Sequence, residues 1–320
     1  MSLVVIDGDL IGFKASAACE KRFIKAVHKA SNRSQDFQHR TAFRDWLKEQ
    51  EKWEETDFDI IDDRIVDPIE NCLHTVKVMV DNIWKASGCS EFKIVVQGEG
   101  NFRDDLLLPT KYKSNRTDSI RPLHLKEVQG YLVGKYKAEK ANGQESDDVL
   151  AAYAYEGYKA KKRIVQATVD KDAKQCMGWL YDWDKMEEPK FISGLGELSL
   201  NSKGKVDGYG RKWLYLQSVI GDPSDAYKPT ELAGVKYGEK TALKDFSGLQ
   251  TDKECWQKIV DLYKSWYPEE ITYTAWNGEE MVTSYLDIMQ MYLDCAHMRR
   301  WVGDQLNVRD TLSRLEIEYD

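Results

Sequence analysis

"GQESDDVLAAYAYEGYKAKKRIVQATVDKDAKQ", residues 143–175, holds two acidic knots: Glu145 with Asp147 and Asp148, then Asp170 with Asp172. Between them lie an apolar helical pattern (147–161) and a short β-branched run, "RIVQAT" (163–168). Two more runs, "LVVI" (3–6) and "FKIVVQ" (92–97), have the same nearly continuous apolar character. That is how strands buried on both faces of a parallel sheet read. Helical patterns at about 10–29, 37–55, 66–87, 123–138 and 147–161 separate the three runs, and this alternation predicts a doubly wound α/β layer. Ligands of such sheets bind beyond the carboxyl ends of the strands. "LVVI" runs into Asp7-Gly8-Asp9 and "RIVQAT" into Val169-Asp170-Lys171-Asp172, so both acid groups are expected at one edge.

Working outward, the chain has 320 residues, 42% hydrophobic and 11% aromatic, enough for a substantial core and one large or two moderate domains. The net charge of −8 does not announce a nucleic-acid binder, but acids gathered in one segment can mask a local basic face. The six cysteines form no CxxC pair and the five histidines no HExxH, so a zinc site of those kinds is not expected and reduced thiols in a cytoplasm are. No apolar run approaches the roughly 20 residues of a membrane helix. Residues 41–70 hold 4 basic and 11 acidic side chains and read as a solvated face and loop; residues 103–140 hold 9 basic and 5 acidic. Within the latter, "PTKYKSNRTDSIRP" interleaves Lys111, Lys113, Arg116 and Arg121 with Tyr112, a composition that suits either a phosphate backbone or an ordinary solvated loop.

After about residue 205 the pattern turns to short helices punctuated by Gly and Pro, then helical stretches near 252–266 and 280–301. "FISGLGELSLNSKGK" (191–205) reads as a hairpin leading to a boundary there.

Each acid motif has a plain structural reading. Ser146 could cap a helix whose first turn favours Asp147 and Asp148, Asp170 could cap a short turn, and Asp7-Gly8 could itself be a turn. Taken together, three acidic groups on one edge would repel unless divalent cations neutralise them. "VIGDPSDAY" adds Asp222 and Asp225, three residues apart. Oxygen ligands without His or Cys nearby favour Mg²⁺ or Mn²⁺, and two such ions are the usual device for phosphodiester hydrolysis.

The ordered set "DGD" (7–9), "FRDDLLLPTKYKSNR" (102–116), "ESDDVLA" (145–151), "TVDKDAKQ" (168–175), "GDPSD" (221–225) and "GVKYGEKTA" (234–242) resembles the 5′-nuclease family of flap endonucleases and 5′–3′ exonucleases. The compact chain looks most like a bacteriophage 5′–3′ exonuclease, and the match spans about residues 3–246. The resemblance implies a PIN-like, mostly parallel twisted sheet flanked by helices. It further implies a catalytic domain over 1–205 with a helical arch at about 103–140, and a helical DNA-binding subdomain of helix–turn–helix type over 206–320.

By the same resemblance, Asp7, Glu145, Asp147 and Asp148 match a first group of metal ligands, and Asp170, Asp172, Asp222 and Asp225 a second. Asp147 and Asp170, with Lys113 and Arg116, would be catalytic, and losing either aspartate would cut turnover far more than DNA binding. Lys113 and Arg116 would clamp the scissile phosphate, with Arg103 and Tyr112 beside them at the arch base, and Lys236 and Lys240 would grip the duplex. Mg²⁺ or Mn²⁺, as two ions, would be the cofactor, with K⁺ at the Gly234–Gly238 loop. The expected partner is DNA with 5′ ends or flaps, RNA–DNA hybrids being a further possible substrate, and the expected state a cytoplasmic monomer. One departure stands out: Gly98, with Glu99 beside it, takes a position where the family usually has an Asp. Either Glu99 substitutes or the first metal group is one carboxylate short, which leaves a nuclease-like module that binds DNA without efficient cleavage as the alternative. Residues 28–64 have no clear counterpart in the family.

Overall fold

The computed structural model describes residues 2–50, 52–116 and 120–319. In chain order the helices and strands are β1 (Leu3–Asp7), α1 (Gly8–Ala18), β2 (Glu20–His28), β3 (Ser34–Phe37), α2 (Arg40–Lys48), β4 (Phe58–Val66), α3 (Ile69–Ser87), β5 (Glu91–Gln97), α4 (Leu125–Tyr136), β6 (Glu139–Ala141) and α5 (Ser146–Ala160). There follow β7 (Ile164–Ala167), β8 (Gly178–Tyr181), β9 (Lys190–Ile192), β10 (Glu197–Leu200), β11 (Val206–Tyr209), α6 (Arg211–Ile220), α7 (Glu239–Phe246), α8 (Asp252–Trp266), β12 (Ile271–Thr274), β13 (Glu280–Thr283), α9 (Tyr285–Ala296) and α10 (Val308–Arg314). The chain divides into two compact units, one of residues 1–10, 80–120 and 132–320, the other of 11–79 and 121–131.

The first unit is built on a six-stranded sheet of order β6-β5-β1-β7-β8-β9, parallel except for β9. Its central strands are the three apolar runs of the sequence, and Val4, Val5, Ile6, Val95 and Val165 have essentially no exposed surface. Burial on both faces is what a parallel sheet covered by helices requires. On one face α5 packs Val149 and Leu150 against Val5, Val95 and Ile164. Gly8 turns β1 into α1 where no larger residue fits: a Cβ there would lie 2.6 Å from Val96 Cγ1 and 2.8 Å from the Val95 carbonyl. Beyond β11, helices α6 to α10 share one core that includes Leu216, Val219, Phe246, Tyr263 and Tyr292. The fold is therefore mixed α/β with a central, mostly parallel sheet flanked by helices, as the sequence predicts.

The second unit corrects the reading of residues 10–64. The expected helix over 10–29 stops at Ala18, and the expected helix over 37–55 is reduced to α2. Strands β2, β3 and β4 form a three-stranded antiparallel sheet of order β3-β2-β4. The reason is local: in "EKRFIKAVH" Ile24 and Ala26 are buried on one face, a period of two that sustains a strand rather than a helix. They pack with Phe37, Phe43 and Phe58 into a small core of this unit's own.

Two further readings are corrected in the first unit. The segment 280–301 is not one helix, because β13 pairs with β12 before α9 begins. The hairpin is β10–β11, over 197–209, while β9 joins the main sheet. Of the expected arch, residues 117–119 lie outside the described residues.

Candidate metal centre

Parallel pairing of β1 with β7 brings their carboxyl ends level, with Ile6 opposite Ala167. Asp7 is thus placed beside Thr168, whose hydroxyl donates to Asp7 Oδ2 at 2.8 Å, while the Leu10 N–H donates to Oδ1 at 3.0 Å. Just past β7, Asp170 opens a 3-10 turn (Lys171–Gln175) and accepts from the Asp172 N–H at 2.8 Å. Asp222 opens a second short turn (Pro223–Asp225) after α6, accepting from the N–H and hydroxyl of Ser224 at 2.8 and 2.7 Å. Glu145 and Asp147 stand at the start of α5.

These segments meet in one cleft of about 320 Å³ within the first unit. Glu145, Asp147, Asp170, Asp172, Asp222 and Asp225 line it, together with Lys113, Arg116 and Lys171. Asp172, Asp222 and Asp225 bring carboxylate oxygens within 4.8 Å of one another, a group that could hold a metal ion. Asp7 is not among the lining residues but lies close enough for its charge to act on Asp147.

The electrostatics are those of crowded acids. Burial, then repulsion from Asp9 and Asp170, pushes Asp7 up to about 7 against the pull of its hydrogen bonds. Burial followed by Asp7, Asp170 and Glu145 holds Asp147 well above the carboxylate range. Burial and Asp170 raise Asp172 to about 6, and burial also raises Asp170 and Asp225. Asp222 goes the other way: burial opposes ionisation, but hydrogen bonds from Lys171 and Ser224 outweigh it. Lys113 bonds Glu145, and Lys171 bonds Asp222 and, at 3.1 Å, Asp172. Two ammonium groups and the Arg116 guanidinium, which pairs with Asp225, are therefore the positive charge among these acids.

The segment that carries Lys113 and Arg116 is held on the backbone carbonyls of residues 223–225. The Lys113 N–H donates to the Asp225 carbonyl at 2.8 Å, Asn115 Nδ2 to Pro223 O at 2.7 Å, and Arg116 Nε to Ser224 O at 3.2 Å, with Arg116 also on the Asp225 carboxylate. Lys113 takes a positive φ of 55°, a backbone state that suits few residues with side chains.

Three sequence expectations are corrected. Arg103 was expected to touch DNA, yet it has no exposed surface. Its guanidinium forks onto Asp148 at 2.7 and 3.0 Å and donates to the carbonyls of Cys295 and His297. Asp148 accordingly does not line the cleft as a ligand. Its oxygens also accept from the N–H groups of Arg299 and Glu145, and this pairing holds it below the ordinary carboxylate range despite burial. Tyr112, 4% exposed, is likewise no surface contact; its hydroxyl donates to Asp225 Oδ2 at 2.8 Å.

Glu99 does not enter the cleft, lining instead a separate hollow with Gln97, Gly98, Lys140 and Asn142. Gly98 cannot carry a side chain at all, since a Cβ would lie 2.2 Å from Asn142 Oδ1 and 2.3 Å from the Ala141 carbonyl. Lys236 and Lys240 are exposed, in the loop before α7 and in its first turn. Lys171, Thr168, Ser224 and Gln217, which bonds Asp172, are site residues the sequence reading missed. Of these only Lys171, set between two aspartates, carried a signal.

No protein-family model matches the chain, and no curated protein does. Among solved structures the chain is similar to a bacteriophage T5 flap endonuclease variant in complex with DNA and metal ions, with 13% identity, 99% of this chain and 100% of that one covered, and a TM-score of 0.48. It is similar also to a T5 5′-exonuclease mutant, with 10% identity, coverage of 98% and 96%, and a TM-score of 0.46. A T5 protein co-crystallised with metal ions gives 11% identity, coverage of 98% and 97%, and a TM-score of 0.47. Among the described residues no helix is long and apolar enough to cross a membrane.

Proposed function

We propose that the protein is a divalent-metal-dependent 5′-nuclease that hydrolyses DNA phosphodiester bonds at 5′ ends and 5′ flaps. The observation that carries this reading is the convergence of carboxylates from three separate segments, 145–147, 170–172 and 222–225, on one cleft lined also by Lys113 and Arg116. The donor set fits hard cations: among the described residues the lining offers carboxylate oxygens and no His or Cys. Asp172, Asp222 and Asp225 would hold one Mg²⁺ or Mn²⁺, and Asp7, Asp147 and Asp170 with Glu145 a second. When bound, such ions neutralise the carboxylates and lower the pKa of water.

The chain's own residues supply the rest. Lys113 and Arg116 would exchange their carboxylate partners for the non-bridging oxygens of a phosphodiester and stabilise the charge that grows there. Tyr112 and the backbone bonds to Pro223, Ser224 and Asp225 fix both cations over the acids. Lys171 ties Asp172 to Asp222 and so sets the spacing of that ligand group. Hydrolysis places a water oxygen on phosphorus as the bond to the 3′ oxygen breaks, leaving a 5′-phosphate product.

In this reading residues 1–205 supply most of the chemistry and 206–320 hold the duplex, with Lys236 and Lys240 on its phosphates and K⁺ at the Gly234–Gly238 loop. Gly98 supports a second reading, a DNA-binding module with weakened cleavage, because neither it nor Glu99 supplies the cleft with another acid. The test is cleavage of 5′-labelled duplex, 5′-flap and RNA–DNA hybrid substrates with Mg²⁺, Mn²⁺ or EDTA. Metal-dependent products from 5′ ends are expected. Cleavage that persists in EDTA would remove the metal reading, and DNA bound but uncut in either metal would favour the second.

A further inference from the structure

Away from the cleft, the far half of α5 carries a continuous file of aromatic rings. Trp179 meets Phe191 at 5.3 Å, Phe191 meets Tyr158 at 6.1 Å, Tyr158 meets Tyr155 at 6.1 Å, and Tyr155 meets Trp301 at 5.8 Å between centroids. An arginine closes each end: Arg163 lies 4.3 Å over Trp179, and Arg300 lies 4.6 Å over Trp301. Phe191 and Trp301 are about half exposed, at 50% and 49%. Half-exposed aromatic rings packed against one another make a contiguous apolar surface of the kind that marks an interaction site.

Charge accompanies the rings. The end of α5 and the turn after it read "KAKKR" over 159–163, four cations in five residues. Tyr155, Tyr158 and Lys159 border a cavity of about 430 Å³ whose lining also includes Arg211, Arg300 and Arg314. Asp252 neutralises Arg211 and Asp304 neutralises Arg300, which leaves Lys159 and Arg314 as the cations of the lining without a carboxylate partner among the described residues. His297 lines the same cavity; it is 7% exposed, shares Nε2 with Asp304, and its Nδ1 has no hydrogen-bond partner among the described residues.

We propose that this face is a second nucleic-acid surface, a stacking platform for single-stranded DNA distinct from the acidic cleft. Aromatic rings interleaved with arginine and lysine are what an unpaired strand requires, because every base offers a π-face and every link a phosphate. At centroid separations of 5.3 to 6.1 Å the rings are in contact with one another, so bases would lie against the half-exposed rings Phe191 and Trp301 rather than between neighbours. Tyr155 and Tyr158 follow Asp147 by eight and eleven residues on one helix, about 12 and 16 Å at 1.5 Å per residue. The platform and the cleft thus lie at different ends of α5.

The test is fluorescence anisotropy of a labelled oligothymidine of about 15 nucleotides, within the span such platforms take, in EDTA so that nothing is cut. Phe191→Ala combined with Trp301→Ala should weaken binding by on the order of tenfold or more, while Trp301→Phe alone, which keeps a ring, stays near wild type. Lys159→Ala should reduce the slope of log affinity against log salt by about 0.7. Thermal unfolding of the double variant checks that it is folded. Unchanged oligothymidine affinity in a folded double variant would overturn the proposal. So would an acidic, aromatic peptide that binds this face when oligothymidine does not, since that would assign it to a protein partner. Because binding is read without metal, a protein that cuts no DNA can still pass this test, and an active nuclease can fail it.

Discussion

The molecule has two concentrations of acid, and they behave in opposite ways. Residues 54–63, "EETDFDIIDD", are as acidic as any stretch of the cleft. In the second unit their side chains stand in water and find cations: Arg40 forks onto Asp62 at 2.8 and 2.7 Å, and Arg44 onto Glu55 at 3.0 and 3.1 Å. Those bonds hold Asp62 and Glu55 below their ordinary values. In the cleft, burial and mutual repulsion drive Asp7, Asp147, Asp170 and Asp172 upward. An acidic count does not mark a site; acids gathered out of water with too few cations do.

The largest effect that separates the two regions is on turnover. Asp170→Asn should lower cleavage of a 5′-labelled duplex by on the order of a hundredfold or more while DNA binding persists. Asp62→Asn should leave cleavage within about twofold. Equal losses from both substitutions would break the contrast.

Next comes stability. Arg103→Ala strands Asp148 without its partner in the interior and should cost about 3–5 kcal/mol in denaturant unfolding. Arg40→Ala removes an exposed pair and should cost under about 1 kcal/mol. A loss on Arg103→Ala as small as that on Arg40→Ala would show that burial does not divide the two regions.

The pH dependence should differ in sign. Asp7, raised to about 7, keeps its proton in the folded chain where the unfolded chain has lost it. Its contribution to stability is therefore full below about pH 4, is lost as pH rises to about 7, and is constant above. Asp62 is lowered, so its smaller contribution is present above about pH 4 and is lost as pH falls further. In EDTA, the difference in melting temperature between wild type and Asp7→Asn should move against wild type from pH 5 to pH 8. Saturating Mg²⁺ at pH 8 should raise the wild-type melting temperature, by the equivalent of about 2.7 kcal/mol at a hundred times its dissociation constant. A rise of the same size in Asp170→Asn would remove that carboxylate from the ion site.

The parallel sheet is legible because β1, β5 and β7 are short apolar runs, two of them followed by acids, and that pattern depends on sequence neighbours alone. The order of motifs placed Asp7, Asp170 and Asp222 near one edge. What sequence could not separate was acids that face the cleft from acids that face a partner. Asp147 and Asp148 are adjacent, yet only the second meets Arg103, 45 residues away. Arg103 looked like a surface cation because nothing local shows that its partners are Asp148 and two carbonyls near residue 296. The β12–β13 hairpin had a readable signal in Asn277-Gly278, a strong turn pair flanked by β-branched residues, that the run of helical residues after it obscured. In β2 the alternation was short enough to pass for the tail of α1.

The Arg103 fork has a consequence for the far end of the chain. It ties the start of α5, which carries Asp147, to the carbonyls of Cys295 and His297, and the Arg299 N–H closes the same knot. A truncation before Cys295 would keep every carboxylate of the cleft and still cut the anchor that orients them. The segment from Cys295 onward is in this sense a tether for the acidic edge, and deleting it would be felt as a loss of alignment rather than a loss of carboxylates.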